Sequence, residues 1–404
     1  MQPRLGIYIH IPFCASKCGY CDFYSCAGAA ERMAEYQQAL LEHIEESAGR
    51  IAPAYIDTVY FGGGTPSFYG AARLIELLDA VKATGRLLKR AEVTVEVNPD
   101  SVRLHDLRAL RKAGFNRLSI GMQSSNNDIL KMIGRRHSYR QVEMAVENAR
   151  TAGFDNISLD LIYGLPSQTR SDWADTLAKA LALRPEHISG YGLKLEEGTP
   201  MYALKDSPLI PSDDEQADMY LCMVEELRHY GYEQYEISNF AKPGKESRHN
   251  LKYWTGGEYV GFGPGAHSYF GGRRYAYPRD LEGYIRAVAA GSVPLEDCQT
   301  ITATEQAREY LLLQMRTLYG IEEWEYRRLF GLNFDPIARR LEVLESHRWV
   351  EQSGHRWHFT PQGFLLSNTL ILDLLEAQSA TLQVKKDWKA FLGPPDAPQK
   401  PTHP

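Results

Sequence analysis

The chain has 404 residues, of which 44% are apolar, 45 are basic and 51 are acidic. This length allows one large core and a smaller companion domain, and the net charge of −6 argues against a protein built mainly to coat nucleic acid or an anionic membrane. The chain does not open with a basic stretch and a long apolar segment, and no apolar run approaches about 18 residues, so we expect a soluble cytoplasmic protein.

Short β-rich runs alternate with longer helical patterns through the first half of the chain, which is typical of βα units around a parallel sheet. The six expected strands are 6–11, 58–63, 92–97, 117–122, 156–162 and 187–193. The helical patterns between them are 31–47, 71–84, 104–114, 138–153 and 171–183. Six successive units predict an α/β fold, a partial (β/α)6 barrel related to the TIM architecture, although an open doubly wound sheet would give a similar pattern.

The chain is expected to have four segments. The barrel occupies 1–200, and a region that caps it with a helix, short strands and turns occupies 201–300. Helical runs followed by two strand-like runs around Ser353–Gly354 predict a mainly helical, winged-helix-like domain at 301–375. Acidic residues alternate with the basic ones there, so we expect no nucleic-acid partner. Residues 376–404, which end in a Pro-rich stretch, are predicted to be a disordered tail.

Four of the six cysteines are clustered near the N-terminus. Cys14, Cys18 and Cys21 form C-x3-C-x2-C, and Cys26 follows. In a cytosolic protein such thiols more often bind metal or catalyse than form disulfides. A redox dithiol would leave Cys14 unexplained, whereas three thiolates on one loop suit a [4Fe–4S] cube. Zinc usually takes two separated cysteine pairs, but Cys26 or a distant histidine could complete a zinc site, so a zinc-stabilised binding module stays open.

Polar side chains share one face of several predicted strands, the face opposite the one that packs on the helices. Tyr8 and His10 alternate with isoleucines, Glu96 alternates with valines, and Asp160 alternates with leucines, while Gln123 follows its strand directly. Because barrel enzymes build their sites where the strands end, this common phase predicts a ligand pocket there.

The second expected strand runs into a triple glycine, residues 62–64 in FGGGTPS. Glycine permits close approach of the backbone to a ligand. A triple glycine alone more often marks a tight turn, but its position after a strand and downstream of C-x3-C-x2-C makes the ligand interpretation the stronger one.

The cysteine spacing, the glycine loop and the polar strand ends together resemble the radical S-adenosylmethionine (SAM) superfamily. In that family three cysteines hold a [4Fe–4S] cluster whose open iron chelates SAM, and one-electron reduction yields a 5′-deoxyadenosyl radical. The resemblance implies cluster ligation by Cys14, Cys18 and Cys21. The implied SAM-site residues are Tyr8, Tyr20, Gly63, Gly64, Thr65, Glu96, Gln123, Arg135 and Asp160.

Over nearly the whole chain, the resemblance narrows to the oxygen-independent coproporphyrinogen III oxidase group. It rests on Y-x-H-x-P-F-C at 8–14, FGGGTPS, GMQS at 121–124, DLIYGLP at 160–166 and the C-terminal unit. True oxidases of the group carry C-x3-C-x2-C-x-C, where this chain has Phe23, and a longer segment before the cluster. Both departures are those of the HemW branch, whose members are heme chaperones.

The branch's H-N-x-x-Y-W motif occurs at 249–254 and implies a heme site formed by His249, Asn250, Tyr253 and Trp254. Histidine is a common axial ligand of heme iron, and Tyr and Trp offer flat apolar surface. The alternative is a hydrogen-bonded loop histidine beside an ordinary core tryptophan. His267, in a second glycine-rich stretch, is a further candidate.

The expected function is therefore heme binding and delivery. The expected partners are heme, a heme-accepting protein, for which the membrane surface is one location, and an electron donor to the cluster. The alternative is oxidative decarboxylation of coproporphyrinogen III, an activity that we expect this radical SAM protein to lack.

Overall fold

Six βα units build the first half of the chain. The structure, a computed structural model, describes the backbone of residues 4–392 and the side chains of residues 4–379. It divides after Ile301 into two compact units. The strands of the first unit are β1 (Arg4–Ile11), β2 (Phe13–Cys14), β3 (Cys26–Ala27), β4 (Tyr55–Gly63), β5 (Arg86–Val97), β6 (Arg117–Gln123), β7 (Ile157–Tyr163), β8 (His187–Gly192), β9 (Glu233–Glu236), β10 (Asn239–Ala241), β11 (Tyr259–Phe262), β12 (His267–Phe270), β13 (Arg273–Ala276) and β14 (Glu296–Thr300).

The helices of the first unit lie mainly between these strands. They are α1 (Met33–Glu46), α2 (Ala48–Ile51), α3 (Pro66–Tyr69), α4 (Ala71–Thr84), α5 (Leu104–Ala113), α6 (Asn127–Met132), α7 (Tyr139–Thr151), α8 (Arg170–Ala182), α9 (Asp213–His229), α10 (Arg248–Trp254) and α11 (Leu281–Ala289). Short 3-10 helices cover Ala30–Arg32 and Pro200–Leu204. Among the described residues, no helix is both long enough and apolar enough to cross a bilayer.

One large sheet organises the first unit. Its strand order is β14-β13-β12-β11-β1-β4-β5-β6-β7-β8-β10-β9. The strands from β1 to β8 in this order pair in parallel and follow the chain without reversal. A doubly wound sheet reverses its order near the middle, whereas a TIM-type barrel does not. The α/β partial (β/α)6 barrel is therefore confirmed, and each of its strands overlaps one that the sequence predicts.

The segment after the barrel does more than cap it. Its strands extend the sheet at both sides, β10 beside β8 and β11 beside β1. The pairing of β11 with β1 is parallel, and β12, β13 and β14 continue outward in antiparallel pairs. This arrangement brings 201–300 into the same compact unit as the barrel.

Strand β1 illustrates why the sheet has one polar and one apolar face. Ile7, Ile9 and Ile11 are fully buried on one face, where they pack with the outer helical layer as period-2 alternation requires. Tyr8 and His10 occupy the opposite face, inside the barrel. Barrel interiors are usually filled by branched apolar side chains, so a polar interior marks a site for a ligand.

The second unit begins at Thr302. Its helices are α12 (Ala303–Gln314), α13 (Glu323–Phe330), α14 (Asp335–Ser346), α15 (Pro361–Leu365) and α16 (Ser367–Leu392), and its strands are β15 (Ile321–Glu322), β16 (Val350–Ser353) and β17 (Arg356–Phe359). The strands form a small sheet of order β15-β17-β16. The hairpin turns at Gly354, whose φ is 62°. Helices around such a hairpin match the winged-helix-like expectation.

Helix α16 departs from the predicted disordered tail, because it continues from Ser367 to Leu392. Residues 376–392 contain several good helix formers, and the Gly- and Pro-rich composition begins only at Gly393. The prediction of disorder is therefore wrong for 376–392, while 393–404 lie outside the described residues.

Candidate cofactor site

A cavity of about 620 Å³ lies where the parallel strands end. Its lining includes the three predicted cluster cysteines and all the predicted SAM-site residues except Tyr8. Tyr8 lies behind the lining, where its hydroxyl is 3.0 Å from His10 Nδ1 and its ring stacks on Tyr60 at 6.2 Å. The fold thus brings together side chains that are far apart along the chain.

The cysteine loop is held closed at its base by a short parallel pairing of β2 with β3. Within the loop, Cys14 is buried, while Cys18 and Cys21 are half-buried, and none forms a disulfide. Thr65 Oγ1 donates to Cys14 Sγ at 3.4 Å. Burial raises the pKa of the Cys21 thiol. All three thiols face the cavity and are free to act as ligands.

These thiols fit a cluster better than a single ion. Among the side chains of residues 4–379, no three His, Cys, Asp or Glu groups are arranged to hold one metal ion. In a cubic cluster each cysteine binds a different iron, so the sulfurs need not converge on one point. Arg135 Nη1, 3.8 Å from Cys18 Sγ, would offset part of the negative charge of the bound thiolates.

The glycines at the end of β4 and directly after it are closely surrounded by protein atoms. A Cβ on Gly63, whose φ is 112°, would lie 2.5 Å from His10 Cε1. A Cβ on Gly64 would lie 2.8 Å from the carbonyl oxygen of Ile11. The Gly64 N–H also donates to this oxygen at 2.8 Å. Gly63 and Gly64 line the cavity, so close approach of a ligand to their backbone stays a prediction, and their lack of side chains is needed also for packing against β1.

Glu96 is the buried acid of the cavity. Its carboxylate accepts hydrogen bonds from the Tyr60 hydroxyl at 2.9 Å and from the Gly63 N–H at 3.2 Å. Burial, reinforced by the charge of Asp160, raises the pKa of Glu96 to about 7 despite these bonds. Burial likewise raises the pKa of Asp160, whose two carboxylate oxygens, each 3.0 Å from Ser119 Oγ, share the single hydroxyl proton of Ser119 in a bifurcated hydrogen bond.

Two cavity residues were missed by the sequence reasoning. Asn98 accepts a 2.7 Å hydrogen bond from Arg135 and so fixes that guanidinium at the site. Arg117 lines the cavity at 1% exposure, and its Nε has no hydrogen-bond partner among the described residues. An unpaired buried polar atom implies water or a polar ligand, so the cavity suits a ligand such as SAM that carries a carboxylate. Arg117 lies two residues before Ser119 on β6 and therefore shares its face of the strand. This period-2 relation could have identified Arg117 from the sequence.

The H-N-x-x-Y-W motif occupies α10 from its second residue to its last. Asn250 lines the cavity, but His249, Tyr253 and Trp254 do not. His249 is fully buried, with Nδ1 2.8 Å from Thr58 Oγ1 and Nε2 2.9 Å from Tyr253 Oη. Burial lowers the pKa of His249 to about 3. Heme ligation by His249 stays a prediction, and it would require one of these two hydrogen bonds to break.

Comparison with known proteins gives the family. The model of the radical SAM superfamily matches residues 8–180, and that of the HemN C-terminal domain matches 301–366. The chain is 37% identical to the heme chaperone HemW of Bacillus subtilis, over 89% of this chain and 96% of that protein. It is 34% identical to HemW of Escherichia coli, over 91% and 97% of the two chains. This chain belongs to the HemW family. HemW of Buchnera aphidicola is similar at 38% identity, over 93% and 99% of the two chains.

A solved structure supports the fold of this HemW-family chain. Coproporphyrinogen III oxidase (HemN) from Escherichia coli, a radical SAM enzyme, superposes with a TM-score of 0.81 over 92% of this chain and 90% of that one. The two chains are 24% identical, so the likeness concerns the fold alone. Membership of the radical SAM superfamily means that the first unit binds a [4Fe–4S] cluster and SAM; the individual ligands named above stay predictions.

Proposed function

We propose that this protein binds heme and delivers it to a recipient protein, with a [4Fe–4S] cluster and SAM bound in its barrel. The observation that carries the proposal is the similarity over 89–93% of the chain to proteins named heme chaperones. This similarity extends through both compact units, so it is not limited to a shared cofactor domain.

The side chains of the cavity have separate roles in this proposal. Cys14, Cys18 and Cys21 hold the cluster, and Arg135 balances the charge on its sulfurs. Glu96 accepts hydrogen bonds from the polar groups of SAM once it has lost its proton. The bound cluster and SAM supply one-electron chemistry to the cavity, whose polar walls orient SAM relative to the cysteine loop.

The oxidase alternative has less support. The likeness to the oxidase shows the fold, and Phe23 stands where the resembled oxidases have a fourth cysteine. The Phe23 side chain is 70% exposed at the edge of the cavity, where it cannot replace a thiol chemically. We therefore propose that coproporphyrinogen III is not a substrate.

Several partners follow from the proposal. A carrier of heme needs an acceptor, and we place that acceptor at the membrane surface, with the chaperone itself in the cytoplasm. Reduction of the cluster needs an electron donor. A nucleic-acid partner is not expected, because the overall charge of −6 is unfavourable for one.

The test measures whether heme passes to a recipient protein by direct contact rather than by release into solution. The reconstituted protein is loaded with heme and mixed with inverted membrane vesicles from heme-starved bacteria, whose cytochromes are in the apo form. The same quantity of heme on serum albumin is the control. We expect cytochrome absorbance to appear faster from the chaperone than from albumin. Equal rates at all vesicle concentrations would mean simple release and would contradict delivery.

A further inference from the structure

The histidines of the first unit divide into buried and exposed groups. The buried ones are His10, His43, His137, His187 and His249, and the exposed ones are His105, His229 and His267. Both ring nitrogens of His10, His43, His187 and His249 are engaged in hydrogen bonds. An axial ligand must offer a free nitrogen to a flat macrocycle, so the exposed group is the place to look for one.

Of the three exposed histidines, His267 has the surroundings that heme requires. His105 and His229 lie on the outer helices α5 and α9, and the ring of His105 pairs with Asp106 at 3.2 Å. His267 instead begins the sheet strand β12. Neither of its ring nitrogens makes a hydrogen bond within the described part of the chain. The ring of His267 is only partly covered, and this partial burial together with the nearby Arg279 and Arg274 lowers the pKa of His267, which favours the neutral imidazole that binds iron.

The neighbours of His267 match the rest of the heme molecule. His267 and Tyr269 share one face of β12, and the small side chain of Ala276 is directly opposite His267 on β13. The Arg274 guanidinium stacks over the Tyr269 ring at 5.5 Å. Arg279 is exposed and has no ion-pair partner among the described residues. Heme carries two carboxylates, and arginine is the preferred partner for such groups.

The surroundings of His267 also contact the loop between β2 and β3, which carries the predicted cluster cysteines. A Cβ on Gly265 would lie 3.4 Å from Tyr24 Cβ and 3.4 Å from Arg279 Cγ. The Tyr24 hydroxyl accepts the Leu281 N–H at 2.7 Å, and the Tyr24 carbonyl is 2.9 Å from His10 Nε2. A ligand on this surface would therefore lie beside the loop that carries the cluster cysteines and outside the SAM cavity.

We infer that His267, rather than His249, is the axial ligand of heme, and that Arg279 pairs with a heme carboxylate. The inference rests on the proposed heme-chaperone function and adds to it a surface site that is separate from the SAM cavity. A surface site suits delivery, because a recipient can approach the heme without the barrel opening.

The experiment is a heme titration of the full-length, cluster-reconstituted protein, followed by absorbance in the Soret region. His267→Ala should lose the wild-type spectrum and bind heme about tenfold or more weakly, while its iron–sulfur content stays unchanged. Added imidazole should restore the wild-type spectrum to this variant. His105→Ala and His229→Ala are matched surface controls and should behave as the wild type does.

A second arm tests Arg279. Arg279→Glu should weaken heme binding without changing the spectrum, and the weakening should disappear with heme dimethyl ester, whose carboxylates are blocked. If the wild type binds heme and folded His267→Ala gives an unchanged spectrum and affinity, the inference is wrong although the proposed function stands. If the wild type itself binds no heme, the proposed function fails.

Discussion

The Arg135 guanidinium reaches Cys18 Sγ at 3.8 Å while its other terminal nitrogen donates to Asn98 Oδ1 at 2.7 Å and to the Gly121 carbonyl at 2.9 Å. The two shorter bonds tie the side chain to the ends of β5 and β6. A positive charge is thereby fixed by the barrel beside the sulfur of a predicted cluster ligand.

Removal of this charge should make the cluster harder to reduce. Reduction adds an electron to an anionic cluster, and a nearby cation stabilises the reduced form. We expect Arg135→Met to shift the midpoint potential to a more negative value, as measured by anaerobic titration with spectroscopic detection. Arg135→Lys keeps the charge and is the matched control. A potential unchanged in Arg135→Met would show that the guanidinium does not influence the cluster.

The ligand set is tested by single cysteine replacements. Cys14→Ser, Cys18→Ser and Cys21→Ser should each lose the cluster, whereas Cys26→Ser should retain about four irons per chain after anaerobic reconstitution. The measurement is iron and sulfide content with the absorbance near 400 nm. Cys222→Ser, on helix α9, is a control for the general effect of losing a thiol. Loss of the cluster in Cys26→Ser would mean that the assigned set is wrong.

SAM affinity should rise with pH. Burial holds the pKa of Glu96 at about 7, so this carboxyl group is protonated below that pH and ionised above it. The sulfonium charge of SAM favours the ionised form, and binding should therefore strengthen as the pH rises from about 6 to 8. Calorimetry on the anaerobic holoprotein measures the effect, and Glu96→Gln should flatten the profile. A profile equally steep in Glu96→Gln would assign the titration to another group.

Acid should destabilise the apoprotein through its buried histidines. The pKa of His249 is lowered to about 3, and the pKa values of His10, His43 and His137 are lowered to about 4. The unfolded chain takes up protons near pH 6.5 but the folded chain does not, so stability is full above that value and falls as the pH drops toward 4. Each histidine contributes a slope of about 1.4 kcal/mol per pH unit.

Urea unfolding between pH 7.5 and pH 5 measures this loss. His249→Gln should cost about 1–3 kcal/mol at pH 7.5, because the bonds to Thr58 and Tyr253 are disturbed, but it should lose less stability on acidification than the wild type does. His105→Gln, at an exposed position, should change neither quantity. A wild-type stability that is constant over this range would contradict the account of buried neutral histidines.

The barrel and its polar interior could be predicted from the sequence because strands follow local rules. The alternation of Ile7 and Ile9 with Tyr8 and His10 fixes which face is buried, and the same period assigns Glu96 and Asp160 to the barrel interior. The convergence of Cys14, Cys18 and Cys21 on one cavity could be predicted equally well, since these cysteines are neighbours along the chain. These features depend on contacts between residues close in sequence.

Long-range contacts account for what the sequence did not reveal. The hydrogen bond between Thr58 and His249 joins residues 191 positions apart, and no local pattern indicates that it encloses the histidine. The close packing of Gly63 against the His10 ring is likewise a tertiary contact. Helix α16 was missed because the whole of 376–404 was predicted to be disordered, whereas the Gly- and Pro-rich composition begins only at Gly393.

The most direct test of the account compares two substrates on one preparation. Anaerobically reconstituted protein is incubated separately with heme and with coproporphyrinogen III, SAM and a reductant, and the products are separated by chromatography. We predict a shifted Soret band with heme and no vinyl-bearing product from coproporphyrinogen III. Protoporphyrinogen IX formed at several turnovers per chain, with no stable heme complex, would contradict the chaperone assignment.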